Sequence, residues 1–159
     1  WYSGYVKYLN NNGVTYGKSG NTFAPDDAIT RAEFTTLAVR FFDVYGDGNK
    51  DIMEQYKDFG DVSDGYWAAE YIKAAAKSGW INGYEDGSFR ADRKISRAEV
   101  VTIVNRLLGR EADESYIADN LRKLNTFRDM SGKHWAYYAV MEAANAHTSI
   151  LGENETWSK

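Results

Sequence analysis

Two short stretches combine the residue types that hold an anion. "ITRAEF" at Ile29–Phe34 and "ISRAEV" at Ile95–Val100 each place a hydroxyl residue three positions before a glutamate. That spacing predicts a capping box. Thr30 or Ser96 accepts from the glutamate N–H, and Glu33 or Glu99 reaches back to the cap N–H. Arg31 and Arg97 then fall in the first helical turn, where the helix dipole disfavours a cation by about 0.3–1 kcal/mol. A helix start also presents free N–H groups to an anion, and a guanidinium fork engages a carboxylate bidentately. Both arginines are therefore candidate carboxylate ligands. The competing reading pairs them internally, Arg31 with Asp26 or Asp27 and Arg97 with Asp92.

Trp1, Trp67 and Trp135 stand at the start of equivalent predicted helices. An indole stacks on a sugar face and donates its N–H to a hydroxyl, or it anchors a core. Gly83 and Gly87 serve a turn, and any approach of a ligand to their backbone is secondary. Asp47, Asn49 and Asp51 resemble a calcium loop. Ile52 in place of the turn glycine and Asp58 in place of the final glutamate argue against it. His134 and His147 lack zinc-site spacing. No metal and no cofactor is expected. Neither a nucleophile elbow, a phosphate-binding loop nor a dinucleotide fingerprint occurs, and no acidic pair stands out as an acid/base couple, so an enzyme is not expected.

The elements that must position these residues belong to a packed chain. Of 159 residues, 43% are hydrophobic and 15% aromatic, enough for one ordinary core or for small units sharing one. A net charge of −4 argues against nucleic acid, which needs a basic face. With no cysteine, disulfides and thiolate metal sites are excluded. No apolar run approaches the roughly 20 residues of a membrane span, so membrane insertion is not expected. A chain opening "WYSGYVKYLN" without Met or signal peptide reads as a mature product or an excised piece.

An internal repeat orders the chain. At an offset of 66, residues 1–40 lie on 67–106 without a gap, with thirteen identities that include Trp1/Trp67, Gly17/Gly83, Phe23/Phe89, Arg31/Arg97 and Arg40/Arg106. At an offset of 68, Phe59–Ala76 lies on Phe127–Ala144, matching Phe59/Phe127, Asp61/Asp129 and Trp67/Trp135. Three units follow: 1–46, which lacks the F-x-D opening; 59–110, which is complete; and 127–159, which loses the pattern after about His147. Polar inserts fill 47–58 and 111–126, the second predicted to contain a helix. Such a period denotes units that bury their faces against one another. In the middle unit Trp67, Tyr71, Ile72, Ala75 and Ala76 recur at helical spacing, and Gly79 stops the helix. The loop "NGYEDGSF" then leads through the extended "RADRKI" to a capped second helix. Its predicted buried stripe is Val100, Ile103, Val104, Leu107 and Leu108, repeated as Phe34, Leu37, Ala38 and Phe41. The expected fold class is all-α: three helix–loop–helix units with short extended loop segments.

"FGDV", "YWAAEYIKAAAKSGWINGYEDGSF" and "ISRAEV", in this order, resemble the S-layer homology domain. The middle unit matches nearly throughout. The first matches over Trp1–Arg40, with "TYGKSGNTF" in place of the usual loop, and the third only over Phe127–His147. The resemblance implies a pseudo-threefold helical assembly with grooves between units. It implies non-covalent anchoring of an exported protein to a bacterial cell envelope, by binding a secondary cell-wall polysaccharide bearing ketal-linked pyruvate. It casts Arg31 and Arg97 as ligand contacts, beside which Trp1, Trp67, Trp135 and Gly83 stand, by residue type alone, as candidate sugar-packing positions, and it implies an extracellular, cell-wall location. The third unit carries "HTSILGENETWSK" where that arginine motif is expected, leaving at most two such sites. The alternative is a helical protein–protein interaction or self-assembly scaffold whose arginines are tied up internally.

Overall fold

The computed structural model describes residues 1–19, 22–46, 58–150 and 156–158. The calcium-like residues Asp47, Asn49 and Asp51 lie outside the described residues. The chain forms two compact units, Trp1–Ile95 and Ser96–Lys159, so their boundary falls inside the second repeat, just before its capping box.

The first compact unit contains α1 (Ser3–Asn11), α2 (Arg31–Tyr45) and α3 (Ala69–Lys77). The repeat is visible bond by bond. After α1, the N–H groups of Gly13 and Val14 donate to Asn10 and Leu9 at 3.0 and 2.9 Å; after α3, those of Gly79 and Trp80 donate to Ala76 and Ala75 at the same distances. Gly13 and Gly79 turn the chain in the left-handed region at φ 75° and 69°, which a side chain would oppose. In the loops, Lys18 N–H donates to Thr22 O at 2.9 Å, as Tyr84 N–H does to Ser88 O at 2.8 Å.

Phe89, Ile72 and Val14 are fully buried in this unit, and Phe42 lies 4.8 Å from Trp80, centroid to centroid, where α2 meets α3. The buried face of α2 shares Ala38 with the predicted stripe and otherwise differs from it. It runs through Arg31, Ala32, Thr35, Thr36, Ala38 and Val39, while Phe41 faces solvent. Ala32 explains the rotation: its N–H donates to Ala91 O at 3.0 Å, so α2 turns its small residues towards a neighbouring backbone.

The second compact unit contains α4 (Arg97–Leu107), α5 (Glu114–Asn120) with a single 3-10 turn after it, α6 (Tyr137–Ala144), and strands β1 (Thr148–Ile150) and β2 (Thr156–Ser158). The helix expected within 111–126 is α5, capped by Asp113, which accepts from Tyr116 N–H at 2.8 Å. On α4 the buried residues are Glu99, Ile103 and Asn105, whereas the predicted Val104 and Leu108 are exposed. Asn105 is drawn inward because its amide donates to Ala139 O at 2.9 Å, joining α4 to α6. Ile117, Met141 and Trp157 form the core. The Trp157 ring stacks on His147 at 3.9 Å, and buried Glu142 lies 2.7 Å from Arg110 Nε and 3.2 Å from His147 Nε2. Thus, within the tail that lacks an arginine motif, β1 pairs antiparallel with β2, Ser149 opposite Trp157, in an otherwise helical set of described elements. Among the described residues no helix is long and apolar enough to cross a membrane.

Candidate functional site

Both capping boxes form. Glu33 N–H donates to Thr30 Oγ1 at 3.1 Å and Thr30 N–H to Glu33 Oε2 at 2.7 Å; Glu99 and Ser96 repeat this at 3.3 and 2.7 Å. The two arginines that follow have different environments. Arg31 is buried, and its Nε donates to Phe89 O at 2.8 Å. Its guanidinium carbon lies 4.7 Å from the centroids of both Tyr84 and Phe89, a double cation–π contact. The backbone N–H groups of Arg31 and Ala32 donate to Arg93 O and Ala91 O at 2.9 and 3.0 Å. Backbone carbonyls therefore occupy the start of α2, where the sequence suggested open donors for an anion. Arg97 is exposed at the start of α4, with no hydrogen-bond or ion-pair partner among the described residues.

Tyr84 gathers further cations. Arg90 lies 4.1 Å and Arg93 5.5 Å from its ring centroid, and Arg93 donates to its hydroxyl. Arg90 is also paired with Asp86 at 2.8 Å. Hydrogen bonds from Ser88, then from Arg90, hold the Asp86 carboxyl below its ordinary range.

A groove of about 370 Å³ opens elsewhere on the same compact unit, lined among others by Tyr16, Lys18, Asp27, Glu33, Arg40 and Trp67. Its carboxylates are committed. Asp27 pairs with Lys18 at 2.9 Å, and that hydrogen bond lowers the Asp27 carboxyl below its usual value. Burial pushes the Glu33 carboxyl up, but hydrogen bonds from Thr30 outweigh it and leave the group lowered. Arg40 is held by aromatics instead. Its Nε and Nη2 each lie 3.2 Å from the Tyr71 hydroxyl, and its guanidinium carbon is 5.0 Å from the Tyr16 centroid. Among the described residues no carboxylate pairs with it. An exposed indole, a guanidinium without a carboxylate partner among the described residues and the Tyr16 ring thus line one groove.

The other predicted site residues do not converge on this groove. Trp1, Trp67 and Trp135 are 100, 57 and 65% exposed, so none is a core anchor. Trp67 alone of them lines the groove. At Gly83, φ 68°, an added Cβ would overlap the Phe59 ring and stand 2.8 Å from Ser88 O, so this glycine lets Phe59 close on the loop. Lys18 and Arg40 escaped the reading of motifs. The Arg40/Arg106 identity in the repeat was a usable signal for one of them; Lys18 aligns with Tyr84 and carried none.

The S-layer homology domain profile matches residues 1–35 and 58–101. The chain carries S-layer homology domains. It is 33% identical over 156 residues to the cellulosome-anchoring protein of Acetivibrio thermocellus, which covers 97% of this chain and 32% of that protein. It is 32% identical over 106 residues to the surface layer protein of Brevibacillus choshinensis, 67% of this chain and 9% of the relative. A third relative is exoglucanase XynX of A. thermocellus, 30% identical over 91% of this chain but only 12% of the enzyme. The chain therefore spans about a third or less of these relatives, and its likeness to the exoglucanase is confined to a small part of that enzyme.

Proposed function

We propose that these S-layer homology domains hold their parent protein non-covalently at the bacterial cell surface by binding an acidic secondary cell-wall polysaccharide. Arg40 carries the reading: a groove guanidinium without a carboxylate partner among the described residues, beside the exposed Trp67. A carboxylate such as that of a pyruvate ketal supplies the missing anion, and the indole packs on a sugar face. Arg97 is the accessible arginine of the two repeat motifs and serves as a second carboxylate contact. Arg31 contributes from beneath, keeping the Tyr84 loop in place. Trp1 and Trp135 are exposed for further sugar packing, and Gly83 acts through loop shape. The parent protein is the cargo, and these domains serve as its anchor. Sedimentation with purified walls, before and after chemical removal of the secondary polymer, tests the reading. Binding should disappear with the polymer; equal binding to stripped walls would sink the proposal.

A further inference from the structure

A buried carboxylate in the second compact unit has two basic side chains within reach. The side chains of Glu142, on α6, and His147, just before β1, are only 1% and 4% exposed, whereas that of Arg110 is 38% exposed. Glu142 Oε1 lies 2.7 Å from Arg110 Nε and 3.2 Å from His147 Nε2. Arg110 Nη2 lies 2.8 Å from that same His147 Nε2.

Donor chemistry fixes the state of the ring. A guanidinium has no acceptor, so His147 Nε2 must accept the Arg110 N–H through its lone pair. His147 Nδ1 is 2.7 Å from Asn145 O, which only accepts, so the single ring proton sits on Nδ1. In this arrangement His147 is neutral, and Arg110 carries the positive charge beside Glu142.

The surrounding titratable groups come from each neighbouring element. The segment between α4 and α5 brings Arg110, the adjoining Glu111, and Asp113, whose Oδ2 accepts from Trp157 N–H at 3.3 Å while its Oδ1 caps α5. From α5 comes Tyr116, its ring 5.7 Å from that of Trp157, and from α6 come Glu142 and Tyr137, the latter packed against the core. Glu142 and Arg110 are the charges that touch the imidazole.

We infer that proton uptake by His147 changes which cation holds Glu142. The second ring proton goes to Nε2 and turns the acceptor of the Arg110 bond into a donor. Two N–H groups then oppose each other across 2.8 Å, while Glu142 Oε1 stands 3.2 Å away to accept the new one. The imidazolium stays in place. Its Nδ1 bond to Asn145 O is unchanged, and its ring lies 3.9 Å from the Trp157 ring at 12°, where a cation is favoured. Arg110 moves instead, because its side chain already reaches solvent. Acid thus exchanges the Arg110–Glu142 pair for a His147–Glu142 pair and presents the Arg110 guanidinium to solvent as an added contact for anions. The switch involves neither Arg40, Trp67 nor Arg97, so it stands independently of the glycan reading.

Nitrogen NMR from about pH 8 to about pH 5, the range in which imidazole changes charge, tests it. The chain has two histidines, so His134 serves as internal reference. At the alkaline end His147 should show the Nδ1–H tautomer, and the Arg110 guanidinium N–H groups should exchange slowly with water. As His147 titrates, their exchange should quicken by about tenfold or more, as expected when a buried contact opens locally. His147→Gln still offers an acceptor but cannot titrate, and should leave Arg110 protected throughout; His134→Gln should keep the wild-type response. The wild-type titration decides the matter even where His147→Gln loosens the core. An Nε2–H tautomer at alkaline pH, a His147 that stays neutral to the acid end, or Arg110 exchange that ignores the His147 titration overturns the proposal. So does a response that persists in a folded His147→Gln.

Discussion

Arg31 of the first repeat donates through Nε to the main-chain carbonyl of Phe89 in the second at 2.8 Å, from a position where only 6% of the residue is exposed. The bond ties the start of α2 to the loop of the following repeat, and it makes the two motif arginines unequal.

That inequality predicts opposite behaviour on substitution. Arg31→Ala removes a buried charged donor and two ring contacts, and should cost about 2–4 kcal/mol of stability. Arg97→Ala, at an exposed site, should stay within about 0.5 kcal/mol of the wild type. Urea unfolding monitored by circular dichroism checks both. Equal losses would show that the buried environment of Arg31 does not matter.

In the groove, Arg40→Ala should weaken binding of a pyruvylated wall oligosaccharide by about tenfold or more, the scale of one charge-assisted contact. Arg40→Lys should recover part of it, since a point charge replaces the fork. Trp67→Ala should weaken binding too, with an unchanged unfolding midpoint because the ring is 57% exposed. Titration calorimetry reads all three.

The Asp61 carboxylate accepts from Phe89 N–H and Arg90 N–H, both at 2.7 Å. Asp61→Ala should strip these acceptors and destabilise the first compact unit by about 1–3 kcal/mol. Asp61→Asn keeps one acceptor oxygen and should fall between. Hydrogen exchange at the Phe89 and Arg90 amides should accelerate in the same order.

Acid should loosen the start of α2. Hydrogen bonds from Thr30, outweighing burial, hold the Glu33 carboxyl below its ordinary 4.5 in the folded chain. A lowered folded-state value gives stability that is complete above the unfolded value and lost as pH falls through the folded one. Glu33→Gln should therefore lower the urea midpoint at pH 7 and shrink the difference between variant and wild type at pH 3. A constant difference at both values would exclude the capping carboxylate as the source.

The capping boxes, the stop glycines and the repeat itself were legible in the sequence, because each rests on local backbone chemistry with a fixed spacing. Ser96 and Glu99 need no distant partner to form their two bonds. The helix faces were less legible. Phe41, Val104 and Leu108 have helical spacing and apolar side chains, yet they face solvent, since Ala32 and Asn105 meet carbonyls from segments far along the chain and set the rotation of α2 and α4. The site divided in the same way. Sequence alone singled out Arg31 and Arg97 as residues that capping does not explain, and three tryptophans able to meet a sugar. Only the tertiary structure buried Arg31 between two rings, left Arg97 in solvent, and gathered Lys18, Arg40 and Trp67 around one groove. The physical reason is range: a cap is completed within four residues, whereas burial and charge pairing depend on what the rest of the chain brings to each side chain.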